Sequence, residues 1–83
     1  MSLEFIAVDE ESGKSGSPTV YVDKAKEEFV FQGWDPTPEL VAELEANPAP
    51  DHAPGVPAGE HVVRLPFRMA AAIRKACDAA ELE

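Results

Sequence analysis

The 83 residues are enough for one small domain, and sixteen acidic against seven basic side chains give a net charge of −9. That surplus argues against a general nucleic-acid binder, because each phosphate contact needs a basic neighbour. It favours a soluble protein whose acidity either simply keeps it in solution or attracts a partner with a basic surface. The lack of a long apolar run, of a basic secretory start and of a second cysteine beside Cys77 predicts a cytoplasmic protein without membrane spans or internal disulfides.

The first half of the chain has the pattern of three strands. Residues 3–8 are rich in aromatic and β-branched side chains, and a Gly-, Ser- and charge-rich loop, expected to be flexible, follows at residues 9–18. Residues 19–23 and 28–34 are rich in β-branched and aromatic side chains and are predicted to be the second and third strands, with successive side chains on opposite faces. The short polar segment between these two runs predicts an antiparallel hairpin.

The third strand of this pattern is apolar on both faces. Phe29 and Phe31 share one face, while Val30 and Trp34 share the other, on the side expected for Tyr21. One face should pack on the helices, and the other should be covered by the chain or by a partner. Trp34, the only tryptophan, either closes the core at the end of the strand or anchors an interface.

A short helix and a proline-rich connector follow. Thr37 suits an N-cap and Pro38 a first helical position, so the sequence predicts a helix over residues 38–46. Residues 47–59 hold four of the eight prolines, which excludes a helix or a central strand there. This segment is expected to be a flexible loop, partly in the polyproline II conformation.

The last segment is predicted to contain a fourth strand and a final helix. Residues 61–65 are rich in β-branched side chains, and Pro66 opens the helix. The apolar side chains at helical spacing are Pro66, Met69, Ala70, Ile73, Ala76, Cys77 and Ala80.

These elements give the order β-β-β-α-β-α within a single domain over residues 1–83. Runs of strands beside a few helices indicate an α+β fold, with a small antiparallel sheet of about three to four strands packed against two helices. Because so short a chain buries limited surface, either a compact core or dimerisation must supply its stability.

No pattern indicates catalysis, a metal site or a cofactor. His52 and His61 lack the closely spaced cysteine, histidine or carboxylate ligands that zinc requires. Cys77 lies among alanines on an apolar stripe, which favours a small core residue over a nucleophile. The carboxylates at 9–11 and 27–28 lack an apolar setting suited to acid–base chemistry, so they are expected on a solvated face. The sequence therefore predicts a protein that is not an enzyme.

Four basic residues form a strip in a segment, 61–77, that contains no acid: Arg64, Arg68, Arg74 and Lys75. The strip could bind an acidic partner, pair with the acidic residues of the same molecule, or pair with a second copy of the chain in a dimer. The negative surroundings favour internal pairing or a dimer.

Three segments in this order resemble a known group of proteins: PTVYVD at residues 18–23, EFVFQGW at 28–34 and GEHVVRLP at 59–66. They are similar to small acidic actinobacterial proteins encoded beside helix-turn-helix regulators, and loosely to the BldB-like family of developmental regulators. The resemblance implies a non-enzymatic cytoplasmic protein that acts through a protein partner, as a homodimer.

A second resemblance is to MbtH-like proteins, which activate the adenylation enzymes of peptide synthetases. Their connector and third strand look similar to VPAG at residues 56–59 followed by HVV at 61–63. Their tryptophan-rich signature is absent, because Asp35 follows Trp34 where a Trp-Pro pair is expected.

The leading hypothesis is an interaction module that modulates a transcriptional regulator of the helix-turn-helix kind through an acidic surface. The expected partner site consists of Tyr21, Glu27, Glu28, Val30 and Trp34. The alternatives are an MbtH-like activator of an adenylation enzyme and a small ligand-binding or enzymatic protein. Direct nucleic-acid binding and membrane association are not expected.

Overall fold

The computed structural model describes residues 3–13 and 16–81, which form two compact units. The sheet unit contains the described residues up to Trp34 and those from Leu65 onward. The connector unit runs from Asp35 to Arg64. The assignment of residues 1–83 to a single domain stays a prediction.

The sheet unit has a three-stranded antiparallel sheet in the order β1-β2-β3. Its strands are β1 (Leu3–Val8), β2 (Thr19–Asp23) and β3 (Glu28–Gln32). The helices of the chain are α1 (Pro38–Ala46), in the connector unit, and α2 (Ala70–Glu81), in the sheet unit, preceded by a 3-10 helix at Phe67–Met69. The α+β class and the antiparallel hairpin are confirmed.

A bulge in β1 directs two consecutive apolar side chains to the same side of the sheet. Phe5 pairs with Tyr21 and Ala7 pairs with Val20, so Ile6 is an extra residue in β1. Ile6 and Ala7 both pack against the core. A regular strand would point one of them away, because successive side chains alternate between faces.

The core of the sheet unit lies between the sheet and α2. Its buried apolar residues are Val20, Val22, Met69, Ala72 and Ala76. Small alanines on α2 let the helix backbone lie close to the two valines of β2. With so few large side chains in the core, each of them carries a substantial share of the hydrophobic stabilisation.

The predicted fourth strand at residues 61–65 is wrong. Residues 61–63 have no strand pairing, and Val63 is 41% exposed. A β-branched segment becomes a strand only where a neighbouring strand supplies partners for its N–H and C=O groups. Likewise, β3 ends at Gln32 rather than at residue 34, since Gly33 interrupts the strand.

The apolar stripe predicted for the last helix is confirmed except at Ala70, because its other six positions are buried or half-buried. Ala70 is exposed, and Ala72 is buried instead, together with Met69 and Ala76.

Helix α1 has the predicted bounds and the predicted cap. The Leu40 N–H donates to Thr37 Oγ1 at 3.1 Å, Pro38 occupies the first turn, and Asn47 follows the last helical residue. The proline-rich segment after it consists of tight turns closed by backbone hydrogen bonds, such as His52 N–H to Ala49 O at 3.1 Å.

Replacing Thr37 by alanine should lower the free energy of unfolding of α1 by about 1 kcal/mol, because the Leu40 N–H loses its acceptor. Replacing it by serine should keep most of that stability, since serine offers the same hydroxyl. Urea denaturation followed by circular dichroism compares the two variants. Equal losses would show that the cap does not stabilise the helix.

Candidate interaction surface

One side of the sheet faces away from α2 and carries apolar side chains. Val20 and Val22 point toward α2, so Tyr21 between them points to the opposite side. The strand register places Phe5, Tyr21 and Val30 in one row across the three strands, with Leu3 in the next row on β1. We call the surface formed by Leu3, Phe5, Tyr21 and Val30 the open face.

The side chains of the open face are accessible to a partner. Phe5 is 58% exposed, Leu3 44% and Val30 36%, while Tyr21 is half-buried. The rings of Phe5 and Tyr21 meet edge to face, with centroids 6.1 Å apart and planes at 73°. The two rings therefore form one continuous apolar surface.

A second exposed aromatic group lies on the other side of β3. Phe29 and Phe31 pair with Val22 and Val20 and therefore share the side that α2 covers at β1 and β2. They remain 49% and 40% exposed, and their rings stack at 6.3 Å. Strand β3 is thus apolar on both sides, as the sequence pattern indicates, but neither side is buried, although one was expected to pack on the helices.

The structure brings only part of the expected partner site together. Tyr21 and Val30 are cross-strand neighbours, and Glu28 lies in the adjacent row of the open face. Glu27 lies in the turn before β3 with a positive φ of 56°. Trp34 lies two residues beyond the end of β3, where it is half-buried and interacts with other residues of the chain. The expected contribution of these residues to partner binding stays a prediction.

Sequence reasoning missed the contribution of β1 to the surface. Leu3 and Phe5 belong to the open face because the antiparallel register sets them beside Asp23 and Tyr21. The alternation in residues 3–8 alone gives no register, so it does not show which residues become neighbours. The 95% exposed side chain of Phe67 was also missed, although it stands outside the open face.

Charge around the open face is mixed rather than purely acidic. In the turn from β2 to β3, Asp23 accepts a hydrogen bond from the Lys26 N–H at 3.1 Å, and Lys24 lies 3.7 Å from the carboxylate of Glu4. The greater acidic excess is in the connector unit, where one arginine is present and all six acids are exposed: Asp35, Glu39, Glu43, Glu45, Asp51 and Glu60.

Asp9 is buried rather than on a solvated face, which corrects the expectation for this carboxylate. It is 3% exposed and accepts two hydrogen bonds from Arg68, at 2.8 Å from Nε and 2.7 Å from Nη2. The Ser12 hydroxyl and the Glu11 N–H also donate to it. The hydrogen bonds from Arg68 and Ser12 hold the pKa of Asp9 well below its usual range.

The Asp9 cluster ties three parts of the sheet unit together. The Asp9 N–H donates to Pro18 O at 2.8 Å, which closes the loop between β1 and β2. Arg68 belongs to the 3-10 helix before α2, so the ion pair joins this helix to the end of β1. The four donors, two from Arg68, one from Ser12 and one from Glu11, thus anchor this carboxylate within the sheet unit.

The four residues of the predicted basic strip have different surroundings. Arg68 pairs with Asp9 of the same chain, and Arg64 Nε donates to Asp35 O at 2.8 Å within the connector unit. Arg74 and Lys75 lie on α2 and are exposed. A role of these residues in a dimer stays a prediction.

The residues considered for nucleophilic or metal chemistry do not form a described cluster. Cys77 is half-buried on α2, and His61 is exposed in the connector unit. His52 Nδ1 lies 2.8 Å from Pro50 O in a turn. Within residues 3–13 and 16–81, no three histidine, cysteine or carboxylate side chains are placed to hold a metal ion.

Comparisons of the chain with protein-family models, with curated proteins and with solved structures find no match. The surface is therefore interpreted from its own geometry and chemistry. Among the described helices, none combines the length and the apolar character needed to cross a membrane.

Proposed function

We propose that this protein is a non-enzymatic interaction module whose open face binds a basic, amphipathic surface of a protein partner. The observation that carries the proposal is the row of Phe5, Tyr21 and Val30, which is continuous and apolar and has two exposed members, Phe5 and Val30. Clustered apolar groups of this kind on a small protein mark interaction sites, and aromatic side chains supply most of the binding energy at such sites.

The distribution of packing in the sheet unit supports an external partner for the open face. In the sheet unit, α2 packs against the side of the sheet that carries Val20 and Val22. The opposite side, the open face, faces away from α2. Sheets with one exposed side usually carry polar residues there. Here the middle row of the exposed side contains two aromatic residues and a valine, so its contact with water is energetically unfavourable.

Electrostatics support a basic partner. The net charge of −9 creates a negative field that attracts cationic surfaces and repels nucleic acid. The six exposed acids of the connector unit contribute to this field at long range. Apolar contacts at the open face then supply affinity at short range, while charge chiefly raises the rate of encounter.

The partner class that the sequence resemblance implies is a helix-turn-helix regulator. Its DNA-binding helix is basic and amphipathic, and these two properties match the field and the open face. Binding of that helix to this protein would compete with its binding to DNA, which is how an acidic module would modulate transcription.

Replacing Phe5 by serine should weaken the binding of a basic amphipathic peptide at least about tenfold, because the most exposed ring of the open face is lost. A synthetic helical peptide of leucine and lysine serves as the probe, and isothermal titration calorimetry measures its affinity. Higher salt should lower the affinity without abolishing it, since only the electrostatic part is screened.

The matched control is Phe67→Ser, which removes an equally large ring that is 95% exposed but outside the open face. This variant should bind the peptide as the unchanged protein does. A peptide in which glutamate replaces lysine should not bind. Equal weakening by both serine variants, or no binding of the lysine peptide, would contradict the proposed function.

A further inference from the structure

We infer that β3 is a self-complementary edge on which a second copy of this chain adds its own β3, antiparallel, with Val30 on the two-fold axis. The resulting assembly is a dimer with a continuous six-stranded sheet. This inference goes beyond partner binding, because it assigns a different surface, the outer edge of β3, to a different occupant.

The two edges of the sheet differ in how they are protected. Proteins prevent edge strands from pairing with other chains by bulges, prolines, lysines or coverage. β1 carries the bulge at Ile6, which disturbs its ladder. β3 keeps an unbroken register with β2 over five residue pairs and contains no proline, glycine or lysine between Glu28 and Gln32.

Strand β3 is also exposed along its whole length. All five of its residues are exposed, and no further strand pairs with it among the described residues. Three of the five, Phe29, Val30 and Phe31, are large and apolar, on both sides of the sheet. An unprotected edge with apolar side chains on both faces is a template for strand addition.

The order of residues in β3 favours a second copy as the occupant. Antiparallel pairing about Val30 places Phe29 opposite Phe31 of the second copy and Glu28 opposite its Gln32. The acidic end of each strand therefore meets the neutral end of the other, and like charges do not face each other. The aromatic pair of one copy adjoins that of the other, which forms a group of four rings on the helix side.

Dimerisation at this edge would also extend the open face. The row of Phe5, Tyr21 and Val30 would continue into the same row of the second copy in reverse order. Six strands spaced about 4.8 Å apart give a band of roughly 24 Å, the length of about sixteen residues of α-helix. One amphipathic helix could then contact both copies.

Opposite charges at Val30 test both the dimer and its register. The unchanged protein should sediment at twice its 8.9 kDa mass at micromolar concentration. Val30→Lys and Val30→Glu should each raise the dissociation constant at least about tenfold, because like charges would face each other on the axis. When the two variants are mixed in equal amounts, one copy of each should form a mixed dimer, because opposite charges would then face each other on the axis. Circular dichroism checks that both variants keep their fold.

A monomeric unchanged protein, or a dimer that survives either charged variant, would overturn the inference. Failure of the mixture to recover the dimer would overturn the register. Because self-association is measured without any peptide, its failure leaves the proposed partner binding to be judged by calorimetry alone.

Disulfide trapping provides a readout that requires no charged residue. In a Cys77→Ser background, Val30→Cys should form a cross-linked dimer in oxidised glutathione, since the two Cα atoms would lie about 4.5–5.5 Å apart, within the range that a disulfide spans. Phe67→Cys, at the more exposed position, should cross-link more slowly. Equal or reversed rates would contradict pairing through β3.

Discussion

Replacing Val20 by alanine is expected to lower the free energy of unfolding by about 2–3 kcal/mol. Val20 is fully buried between the sheet and α2. The loss of its methyl groups removes about 1.6 kcal/mol of transfer free energy, and the cavity that remains adds to this. Ala72 and Ala76 contribute to the same cluster and are too short to fill the space. For a domain of this length, whose total stability is about 5–10 kcal/mol, such a loss is large.

The matched control is Val63→Ala, at a valine that is 41% exposed in the connector unit. This change should alter the free energy of unfolding by less than about 0.5 kcal/mol. Urea denaturation followed by near- and far-ultraviolet circular dichroism measures both variants. Similar small effects would mean that the contact of β2 with α2 does not hold the sheet unit together.

Replacing Asp9 by asparagine is expected to give the second large loss of stability. The amide cannot accept two charge-assisted hydrogen bonds from Arg68, and the guanidinium loses its counter-charge. The loop between β1 and β2 and the 3-10 helix lose their common attachment. The melting temperature should fall more than in Glu10→Gln, which changes an exposed neighbouring carboxylate.

The same variant should change the dependence of stability on pH. The folded-state pKa of Asp9 lies below its ordinary value of about 3.8, so its contribution is fully present above about pH 5. That contribution is lost as the pH falls through the ordinary value and below it. In Asp9→Asn this part of the acid destabilisation should be absent. Thermal unfolding between pH 2 and pH 7 measures it, and parallel curves for both proteins would contradict a structural ion pair.

Local signals in the sequence were sufficient for the elements that depend on local interactions. Thr37 and Pro38 mark the start of α1, and Asn47 and Pro48 its end, because capping and the missing N–H of proline act within one turn. The hairpin of β2 and β3 is equally local. In contrast, residues 61–65 have strand-like composition but form only an isolated bridge, at Arg64, because pairing between distant segments is not encoded in composition.

The residues of the open face also divide into those that local sequence predicts and those that depend on contacts between distant segments. Tyr21 and Val30 can be assigned to one face from alternation, since they belong to one hairpin. Phe5 joins them only through the register of β1, which the bulge at Ile6 shifts by one residue. Similarly, the burial of Asp9 depends on Arg68, 59 residues further along the chain, so the acidic run at 9–11 reads as solvated until the fold is known.

Mapping the contact of the lysine–leucine peptide by NMR tests the central claim most directly. Backbone amide signals of the unchanged, isotopically labelled protein are recorded during titration with unlabelled peptide. The account predicts that the largest shifts occur at Leu3, Phe5, Tyr21 and Val30, with little change along α2. Shifts confined to α2 or to the acidic helix α1, or no shifts at all, would contradict it.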